Sequence, residues 1–561
     1  MLQPTEAQLA IRDATTPNLL VIAPAGCGKT EALALRIQGM LKRGDVSAPR
    51  RVLVVTFSNR ARDNIRERLQ GYLSAADLRD LVTVANFHGL SARLFRAHAN
   101  VIGLDPAMIL PENDWVRDRC REKGFDFNTS GDVQKALREA KQEPRTDAEV
   151  EALLAGAGHE AALAIERERV AEGRLTYDDM PRVAELILAH EEVADLYRCH
   201  FGAVVVDEFQ DLTPQQLRIV NAIGKGRTTY AGDLAQGIYG FAGAKPAEVF
   251  AAVQEECSET IEFAESHRSS PAVLGLVNSL AHLTSCVPLT SADPASWPGG
   301  GLAAEVWHRS VQDEGAWVTD LVQGFIRHVP SHRIGIITRL ASRRQYVEEA
   351  LAAANVRAYR WDDGLLDTET ARRMKSMLAR FSIAKYEESD DKPAFLRDAA
   401  DFDSVVEPTG RENLADALGW CADRFLEGVT PSQVSARIII GDGHTLTTAP
   451  GVHLLTGHAG KGQQFDWVIV VGFEEGSIPD FRETDSPEGI AEEARILSVM
   501  MSRARHGVIL SRSAAVPTKY GNLRAKQPSR FLTYLSNAGV LDYSRLAAWL
   551  QSVHWGAIAA R

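Results

Sequence analysis

The sequence has no cysteine pair spaced as CxxC, no apolar run near the roughly 20 residues of a membrane span, and no basic-then-apolar start. The missing pairs argue against zinc and iron–sulfur sites and favour reduced, mostly buried thiols. The missing run and signal predict a cytoplasmic protein without a membrane partner. The six cysteines are scattered, at Cys27, Cys120, Cys199, Cys257, Cys286 and Cys421.

A basic excess is also missing, because 62 lysines and arginines face 74 aspartates and glutamates, for a net charge of −12. This excludes a broadly basic surface but not a local phosphate-binding groove. Repeats and low-complexity tracts are absent as well. With 561 residues, the chain exceeds the roughly 250 to 300 residues at which single cores stop growing, so we expect two or more lobes.

Two parts of the chain alternate short β-branched runs with amphipathic helical stretches, which predicts parallel sheets. The first has candidate strands at residues 19–22, 52–56 and 203–206, and the second has them at 334–338, 452–456 and 467–471. Residues 100–175 are charged and alanine-rich, which predicts a helical insertion. Residues 381–443 are acidic and irregular, which indicates a second, small insertion.

The sharpest local signal is APAGCGKT, which follows the apolar run NLLVI and precedes a predicted helix. This is the context of a phosphate-binding P-loop. Glycines let backbone N–H groups close around phosphate, the lysine reaches the β and γ phosphates, and the threonine ligates Mg²⁺. A chance glycine turn is the competing interpretation. The predicted ATP-binding residues are Ala23, Pro24, Ala25, Gly26, Cys27, Gly28, Lys29 and Thr30.

A second signal is VVVDEFQD, in which a predicted strand ends at two carboxylates. Ligands of open α/β sheets gather at the carboxyl ends of strands. Asp207 is therefore predicted to hold Mg²⁺, and Glu208 is predicted to orient and deprotonate the attacking water. The alternative is a solvated turn with two adjacent acids, which the P-loop in the same chain disfavours.

Beyond these two signals, the order of motifs resembles that of superfamily 1 DNA helicases of the UvrD/Rep/PcrA type, over nearly the whole chain. The matching segments are TEAQ (5–8), TFSNRAR (56–62), NFHGLSARLF (86–95), GDLAQGIYGFAGA (232–244), ESHRSS (265–270), TGHAGKGQQFDWVIVVG (456–472) and EEARILSVMMSRARHGVIL (492–510). ABC, AAA or SMC-type ATPases lack the last two.

The resemblance implies an α/β fold of two RecA-like P-loop lobes with parallel sheets, a helical 1B insertion and a small 2B-like insertion. Lobe 1A would comprise residues 1–99 and 176–270, and insertion 1B residues 100–175. Lobe 2A would comprise residues 271–380 and 444–561, around a reduced 2B insertion at 381–443. The implied cofactors are ATP and Mg²⁺.

The resemblance also implies roles around the nucleotide. Gln8 would read the adenine edge, and Gln236 would sense the γ-phosphate. Arg268 and Arg503 would reach the γ-phosphate from the hinge and from the second lobe. Two positions depart from the family: His267 replaces a tyrosine that stacks on adenine, and Gln464 replaces a glutamate that contacts ribose.

Contacts with the DNA strand would come from both lobes, partly by stacking of bases on aromatic rings. Taken singly, Phe57 and Phe241 could be core aromatics, and His88 could be a buried histidine. Their place inside family motifs favours DNA contact instead. For Phe87 both interpretations remain. The implied residues are Thr56, Phe57, Asn59, His88, Tyr239, Phe241, Thr456 and His458.

Further departures concern coupling and unwinding. Ala23 replaces the usual first glycine of the P-loop, Glu31 replaces an arginine that contacts phosphate, and Ala242 replaces an arginine that links ATP to DNA. In the family, the 2B domain grips duplex DNA and regulates unwinding. Because the 381–443 insertion is short, the resemblance supports translocation more strongly than strand separation. The compact form resembles helicase subunits of two-gene antiphage systems such as Gabija, in which a separate nuclease is the partner.

We therefore expect an ATP-dependent translocase or helicase on single-stranded or tailed DNA, moving 3′ to 5′, in DNA repair or antiviral defence. One alternative is an ATP- and DNA-dependent sensor that recruits a nuclease without processive unwinding. The other is a plain P-loop ATPase, whose turnover single-stranded DNA would not stimulate.

Overall fold

The computed structural model describes residues 4–57, 59–111, 115–240, 243–361, 365–366, 368–389, 391–405, 408–426, 428–440, 449–458, 463–484, 486–518 and 522–561. Two six-stranded sheets, with every neighbouring pair of strands parallel, organise this part of the chain. All six predicted strands are present, and the predicted α/β class is confirmed.

The first sheet places the P-loop strand near one side and the strand that ends at Asp207 near the middle. Both neighbour Thr228–Gly232, so the loops that follow these three strands meet at one carboxyl edge. In spatial order the strands are Val82–Asn86, Arg51–Thr56, Phe201–Asp207, Thr228–Gly232, Leu19–Ile22 and Glu259–Glu262.

The second sheet has the long strand Phe465–Val471 fully buried, as expected where helices cover both faces of a parallel sheet. In spatial order its strands are Ala358–Arg360, Gly451–Thr456, Arg333–Thr338, Phe465–Val471, Ala504–Ser513 and Leu302–His308. Two-residue parallel pairs join Glu265–Ser266 to Thr290–Ser291 and Leu365–Leu366 to Ile439–Ile440, and Ala515–Pro517 pairs antiparallel with Leu523–Ala525.

Helices cover both sheets. In the first half they are Glu6–Asp13, Lys29–Arg43, Asn59–Gln70, Ala75–Leu81, Phe87–His98, Trp115–Glu122, Phe127–Lys141, Asp147–Gly156, Glu160–Ala171, Asp179–Leu188, Glu191–His200, Pro214–Gly224 and Pro246–Glu256. Later come Pro271–Ser279, Ala281–Thr284, Val311–His328, Ala341–Ala353, Thr368–Arg380, Ile383–Glu388, Lys392–Ala399, Pro408–Leu426, Pro431–Ala436, Pro487–Ser502, Leu532–Leu535, Tyr543–Ser552 and Trp555–Ala559.

Both predicted insertions are helical, and each packs around an apolar cluster; the second cluster also includes residues of the helix Thr368–Arg380. Helices between Trp115 and Ala171 bury a cluster that includes Cys120 and Leu137. The expectation of an irregular segment at 381–443 is wrong, because its described residues are mostly helical and bury a cluster that includes Leu414 and Cys421. Three of its described helices have only six or eight residues, too few to show a clear helical pattern in the sequence. The domain boundaries stay a prediction.

A buried network of three cations and three anions ties the first insertion to the first lobe. Lys141 Nζ lies 2.7 Å from Glu166 and 2.9 Å from Asp179, on the helix Asp179–Leu188. Arg169 and Arg182 complete the network by pairing with Asp147, at 2.7 and 2.6 Å. Because buried charges are costly unless paired, this balanced set fixes how the helices meet.

The cysteines are free thiols, of which Cys27, Cys120 and Cys421 are buried. Within the described residues, none of the helices combines the length and apolar character needed to cross a membrane.

Candidate functional site

The P-loop connects the strand Leu19–Ile22 to the helix Lys29–Arg43. Gly26 and Gly28 have φ angles of 88° and 84°, in the left-handed region that glycine adopts without strain. A Cβ atom at Gly26 would lie 2.6 Å from Arg268 Cβ. Gly28 caps the helix without a side-chain hydrogen bond. First-turn backbone N–H groups therefore remain available to an anion at the helix N-terminus, as phosphate binding requires.

The remaining P-loop residues hold the loop against the sheet. Ala23 donates its N–H to the Gly232 carbonyl at 2.9 Å, and Cys27 donates to the Pro24 carbonyl at 3.3 Å. Burial raises the pKa of the Cys27 thiol to about 12, so this thiol stays protonated and unreactive. Ala25 and Thr30 are half-buried.

Lys29 lies against the two carboxylates that end the strand Phe201–Asp207. Its Nζ atom forms an ion pair with Glu208 and lies 3.4 Å from Asp207 Oδ1. Burial by itself would lower the pKa of Lys29, but the two carboxylates outweigh burial and raise it. The lysine therefore carries a positive charge at any physiological pH, as a phosphate ligand must.

Asp207 suits a divalent cation. Its Oδ1 atom is buried and accepts no hydrogen bond from the residues that the structure describes. Burial raises the pKa of Asp207, and Lys29 only partly opposes this effect. A Mg²⁺ ion would give Oδ1 a closer cationic partner than Lys29 Nζ, which lies 3.4 Å away, and would favour the charged carboxylate. The donor set of Asp207 and the Thr30 hydroxyl therefore fits Mg²⁺.

Glu208 is held in a left-handed conformation with φ of 60°, which is uncommon for a residue with a side chain. Gln210 Nε2 donates to Glu208 Oε2 at 2.5 Å, while Gln210 Oε1 accepts the backbone N–H of Asp233 at 3.0 Å. Gln236 Nε2 then donates to Asp233 Oδ2 at 2.9 Å. A hydrogen-bonded path therefore runs from the predicted catalytic carboxylate to the predicted phosphate sensor. The sequence shows Gln210 in the FQD that follows Glu208, but the local pattern assigns it no role.

Arg503 reaches this path from the second sheet. Its Nη2 atom donates to Gln236 Oε1 at 3.1 Å, and its Nε atom donates to the Val499 carbonyl at 3.0 Å. Burial, followed by the nearby Arg268, lowers the pKa of Arg503 to about 10. The guanidinium is thus protonated at neutral pH. The structure brings Arg503 and Gln236 together although 267 positions separate them.

Arg268 and His267 lie between the two sheets, beside the P-loop. The His267 N–H donates to the Gly26 carbonyl at 3.2 Å, and Ser269 Oγ donates to the Ala504 carbonyl at 2.8 Å. Burial lowers the pKa of Arg268 to about 10, which leaves it charged at neutral pH. The imidazole of His267 is exposed. This segment therefore joins the P-loop to the first residues of the strand Ala504–Ser513.

Gln8 uses its amide within the protein. Its Oε1 atom accepts the Thr5 N–H at 3.0 Å, and its Nε2 atom donates to the Gly28 carbonyl at 3.4 Å. The structure thus places Gln8 against the P-loop backbone, and its contact with adenine stays a prediction. Gln464 directly precedes the strand Phe465–Val471, whose first N–H donates to the Arg503 carbonyl at 2.8 Å. The exposed side chain of Gln464 lies at the same edge of the second sheet as Arg503.

Two predicted DNA-contact residues of the first lobe stack on each other. The rings of Phe57 and Tyr239 have centroids 5.1 Å apart and planes 14° apart. Phe57 is 37% exposed, which disfavours the core interpretation for this ring. Phe87 is only 4% exposed, in keeping with a core aromatic. Phe57 and Tyr239 therefore present a flat apolar surface, and Tyr239 lies near enough to Glu208 of the predicted nucleotide site for its charge to act on the phenol.

The other predicted DNA contacts are placed as follows. Thr56 is buried at the end of the strand Arg51–Thr56, and Asn59 begins the helix Asn59–Gln70. The exposed His88 meets Tyr177 edge-on at 5.3 Å. Thr456 and His458 are half-buried at the carboxyl edge of the second sheet, opposite Arg503. Phe241 lies outside the described residues, as does Ala242.

Two family models match the chain. The UvrD/REP helicase N-terminal domain matches residues 4–257, and the UvrD-like helicase C-terminal domain matches residues 440–514. Together these matches span more than half of the chain and contain the P-loop, the Asp207–Glu208 pair and Arg503. His267 and Arg268 lie between the two matched ranges.

Known proteins are similar to the chain over most of its length. The ATP-dependent DNA helicase UvrD2 of Mycobacterium tuberculosis is 26% identical, and the match covers 94% of this chain and 80% of the relative. The ATP-dependent DNA helicase PcrA of Leuconostoc citreum is 23% identical, and the match covers 93% of this chain and 83% of the relative. PcrA of Staphylococcus aureus is 22% identical, and the match covers 96% of this chain and 87% of the relative. The likeness therefore extends across both sheets.

Proposed function

The chain belongs to the UvrD-like family of ATP-dependent DNA helicases, and we propose that it moves 3′ to 5′ along single-stranded DNA by hydrolysing ATP between its two sheets. The observation that carries this proposal is the hydrogen bond from Arg503 to Gln236. Gln236 in turn connects to Glu208 through Asp233 and Gln210. Closing and opening of the two lobes would therefore be sensed at the hydrolytic carboxylate.

ATP binds with its phosphates at the P-loop and with Lys29, which exchanges its carboxylate partners for phosphate oxygens. Asp207 and Thr30 would hold Mg²⁺, which neutralises charge on the β and γ phosphates. Once Lys29 has turned to the phosphates, Glu208 is released to accept a proton from the attacking water. Arg503 and Arg268 approach the γ-phosphate from the other side, where positive charge stabilises the transition state.

Base stacking by Phe57 and Tyr239 supports a strand that is bound without regard to sequence, because every base offers a flat face. These rings follow the strands Arg51–Thr56 and Thr228–Gly232, whose carboxyl ends share an edge with the P-loop. Changes at the phosphates therefore act over a short distance on the DNA contacts. Alternating grip by the two lobes would turn each ATP cycle into movement along the strand.

One comparison tests this function. ATP turnover is measured with and without single-stranded DNA for the wild type and for Lys29→Ala, followed by unwinding of duplexes with 3′ or 5′ tails. We expect stimulation by DNA, loss of turnover in Lys29→Ala, and unwinding only from the 3′ tail. Turnover that survives Lys29→Ala would refute the site assignment, and turnover indifferent to DNA would favour a plain ATPase.

The small size of the second insertion favours one alternative. Its described helices form a single modest core together with the preceding helix Thr368–Arg380, so little surface is available to grip duplex DNA. On this alternative the chain is an ATP- and DNA-dependent sensor that recruits a nuclease in antiphage defence without processive unwinding. DNA-stimulated ATP turnover without movement along the strand would favour the sensor.

A further inference from the structure

The helix Pro487–Ser502 is capped at its C-terminus by Arg503. One face of this helix, together with Arg503, runs along the loop that follows the strand Thr228–Gly232. Glu492, Arg495 and Arg503 lie three and eight positions apart, a spacing that places them along one side of a helix. Arg503 meets Gln236 at one end of the loop. The helix therefore offers two further charged side chains to the same loop.

Arg495 makes the central contact. Its Nε atom donates a hydrogen bond of 2.9 Å to the carbonyl of Gly237, the residue next to Gln236. The Arg495 side chain is half-buried, and burial lowers its pKa while Glu492 opposes that effect. A hydrogen bond from a charged donor to a partly desolvated carbonyl is among the stronger contacts a protein makes. Arg495 thus holds the loop backbone directly.

The loop is anchored to the second lobe on both sides of this hydrogen bond. Ile238 is fully buried in an apolar cluster that includes Ile496 and Met500 of the same helix. Glu492 lies against Gly240, where a Cβ atom would come within 2.8 Å of its carboxylate oxygen. Although the first sheet supplies this loop and Tyr239 stacks on Phe57 of the first lobe, the backbone of Gly237, the side chain of Ile238 and the backbone of Gly240 contact the helix Pro487–Ser502.

We propose that Arg495 is a positioning residue that couples lobe movement to the DNA-contact stack. Tyr239 lies two residues after Gly237 and stacks on Phe57, which belongs to the first lobe. When the helix Pro487–Ser502 moves relative to the first sheet, the hydrogen bond to Gly237 carries Tyr239 with it, so the stack opens or closes. Arg495 touches neither ATP nor DNA in this scheme, and the inference rests on the proposed function.

Two substitutions of similar length separate the hydrogen bond from the bulk and charge of the side chain. In Arg495→Gln, the Nε2 atom stands the same number of bonds from Cα as the arginine Nε atom, so a donor is kept without the charge. Arg495→Met keeps an unbranched stem but has no donor. Glu488→Gln, an exposed position on the same helix, is the matched control.

The readouts are the KM for ATP and the kcat at saturating single-stranded DNA, together with fluorescence of a strand that carries 2-aminopurine. For Arg495→Met we expect kcat with DNA to fall on the order of tenfold, with KM for ATP within about twofold of wild type. ATP should also no longer change the 2-aminopurine signal. Arg495→Gln should recover most of both responses.

Wild-type stimulation by DNA in Arg495→Met would overturn the inference, as would equal losses in Arg495→Met and Arg495→Gln. If Arg495→Met fails to fold, Gly240→Ala tests the same coupling, because the added methyl group displaces only the flexible end of Glu492. We expect Gly240→Ala to lower the kcat measured with single-stranded DNA and to leave the KM for ATP at its wild-type value. A wild-type protein that DNA does not stimulate would instead contradict the proposed function.

Discussion

The side chains of Arg503 and Gln236 meet through a hydrogen bond of 3.1 Å, with Arg503 2% and Gln236 8% exposed. Arg503 comes from the amino edge of the second sheet and Gln236 from the carboxyl edge of the first. This contact holds a buried positive charge close enough to Glu208 for the two charges to interact. The predictions below concern the chemistry, the DNA contact and the stability that this arrangement implies.

Arg503→Ala should lower the kcat of ATP hydrolysis by roughly 10³-fold or more, the range typical of arginines that stabilise phosphoryl transfer. ATP binding should weaken far less, since the P-loop contacts remain. Steady-state turnover and equilibrium binding of a fluorescent ATP analogue measure the two effects. Arg545→Ala, at an exposed position, serves as the control. A kcat within a few-fold of wild type would show that Arg503 has no catalytic role.

Glu208→Gln should slow hydrolysis by about 10² to 10⁴-fold, because an amide cannot accept the proton of the attacking water. The substitution also removes one of the two carboxylates that form ion pairs with Lys29 within the described residues, so nucleotide affinity should hold or rise. Single-turnover experiments with Mg²⁺ measure the rate of hydrolysis, and equilibrium binding of ATP with Mg²⁺ measures the nucleotide affinity. Rapid hydrolysis by Glu208→Gln would assign the proton acceptor to another residue.

Phe57→Ala and Tyr239→Ala should each weaken binding of single-stranded DNA by about 1 to 3 kcal/mol, the usual value of one base–aromatic stack. Because the two rings form one surface, the double variant should lose less than the sum of the single losses. Fluorescence anisotropy with a labelled oligonucleotide measures the affinities. Phe481→Ala is the control, since Phe481 is 64% exposed and lies in the other lobe. Unchanged affinity in both single variants would remove the stack from the DNA path.

Asp179→Asn should destabilise the protein by about 3 to 5 kcal/mol, because it removes one anion from a buried, balanced network. Burial alone would raise the pKa of Asp179, but Lys141, Arg169 and Arg182 outweigh it and hold the pKa well below its usual range. The carboxylate therefore contributes stability above about pH 4, and that contribution is lost as pH falls toward the lowered pKa. Urea unfolding between pH 3 and 7 tests this.

The comparison variant for the buried network is Glu143→Gln, which removes an exposed partner of Arg218. Exposed ion pairs contribute about 0 to 1 kcal/mol. The difference between the two variants should shrink as pH falls, because the Asp179 contribution fades in the wild type as well. A pH-independent gap would contradict the ionised state assigned to Asp179.

The strands and the P-loop could be predicted because local patterns determine them. The run NLLVI followed by Gly26, Gly28 and Lys29 carries its own structural meaning, as does a strand that ends in Asp207 and Glu208. The contact of Arg503 with Gln236 could be placed only through the family resemblance, since no local pattern joins residues 267 positions apart.

Other features escaped prediction because tertiary packing decides them. The amide of Gln8 binds the Gly28 backbone, and Arg495 binds the Gly237 carbonyl. Neither contact has a signature in the residues around it. The 381–443 segment looks irregular in sequence because three of its described helices have only six or eight residues. Its core depends on how those helices pack with Pro408–Leu426.

Displacement of streptavidin from biotinylated single-stranded DNA tests most directly whether ATP hydrolysis between the two sheets drives movement along the strand. We predict ATP-dependent displacement from the 5′ end, slower or no displacement from the 3′ end, and none from either end with Glu208→Gln. DNA-stimulated hydrolysis by the wild type without displacement from either end would contradict the account.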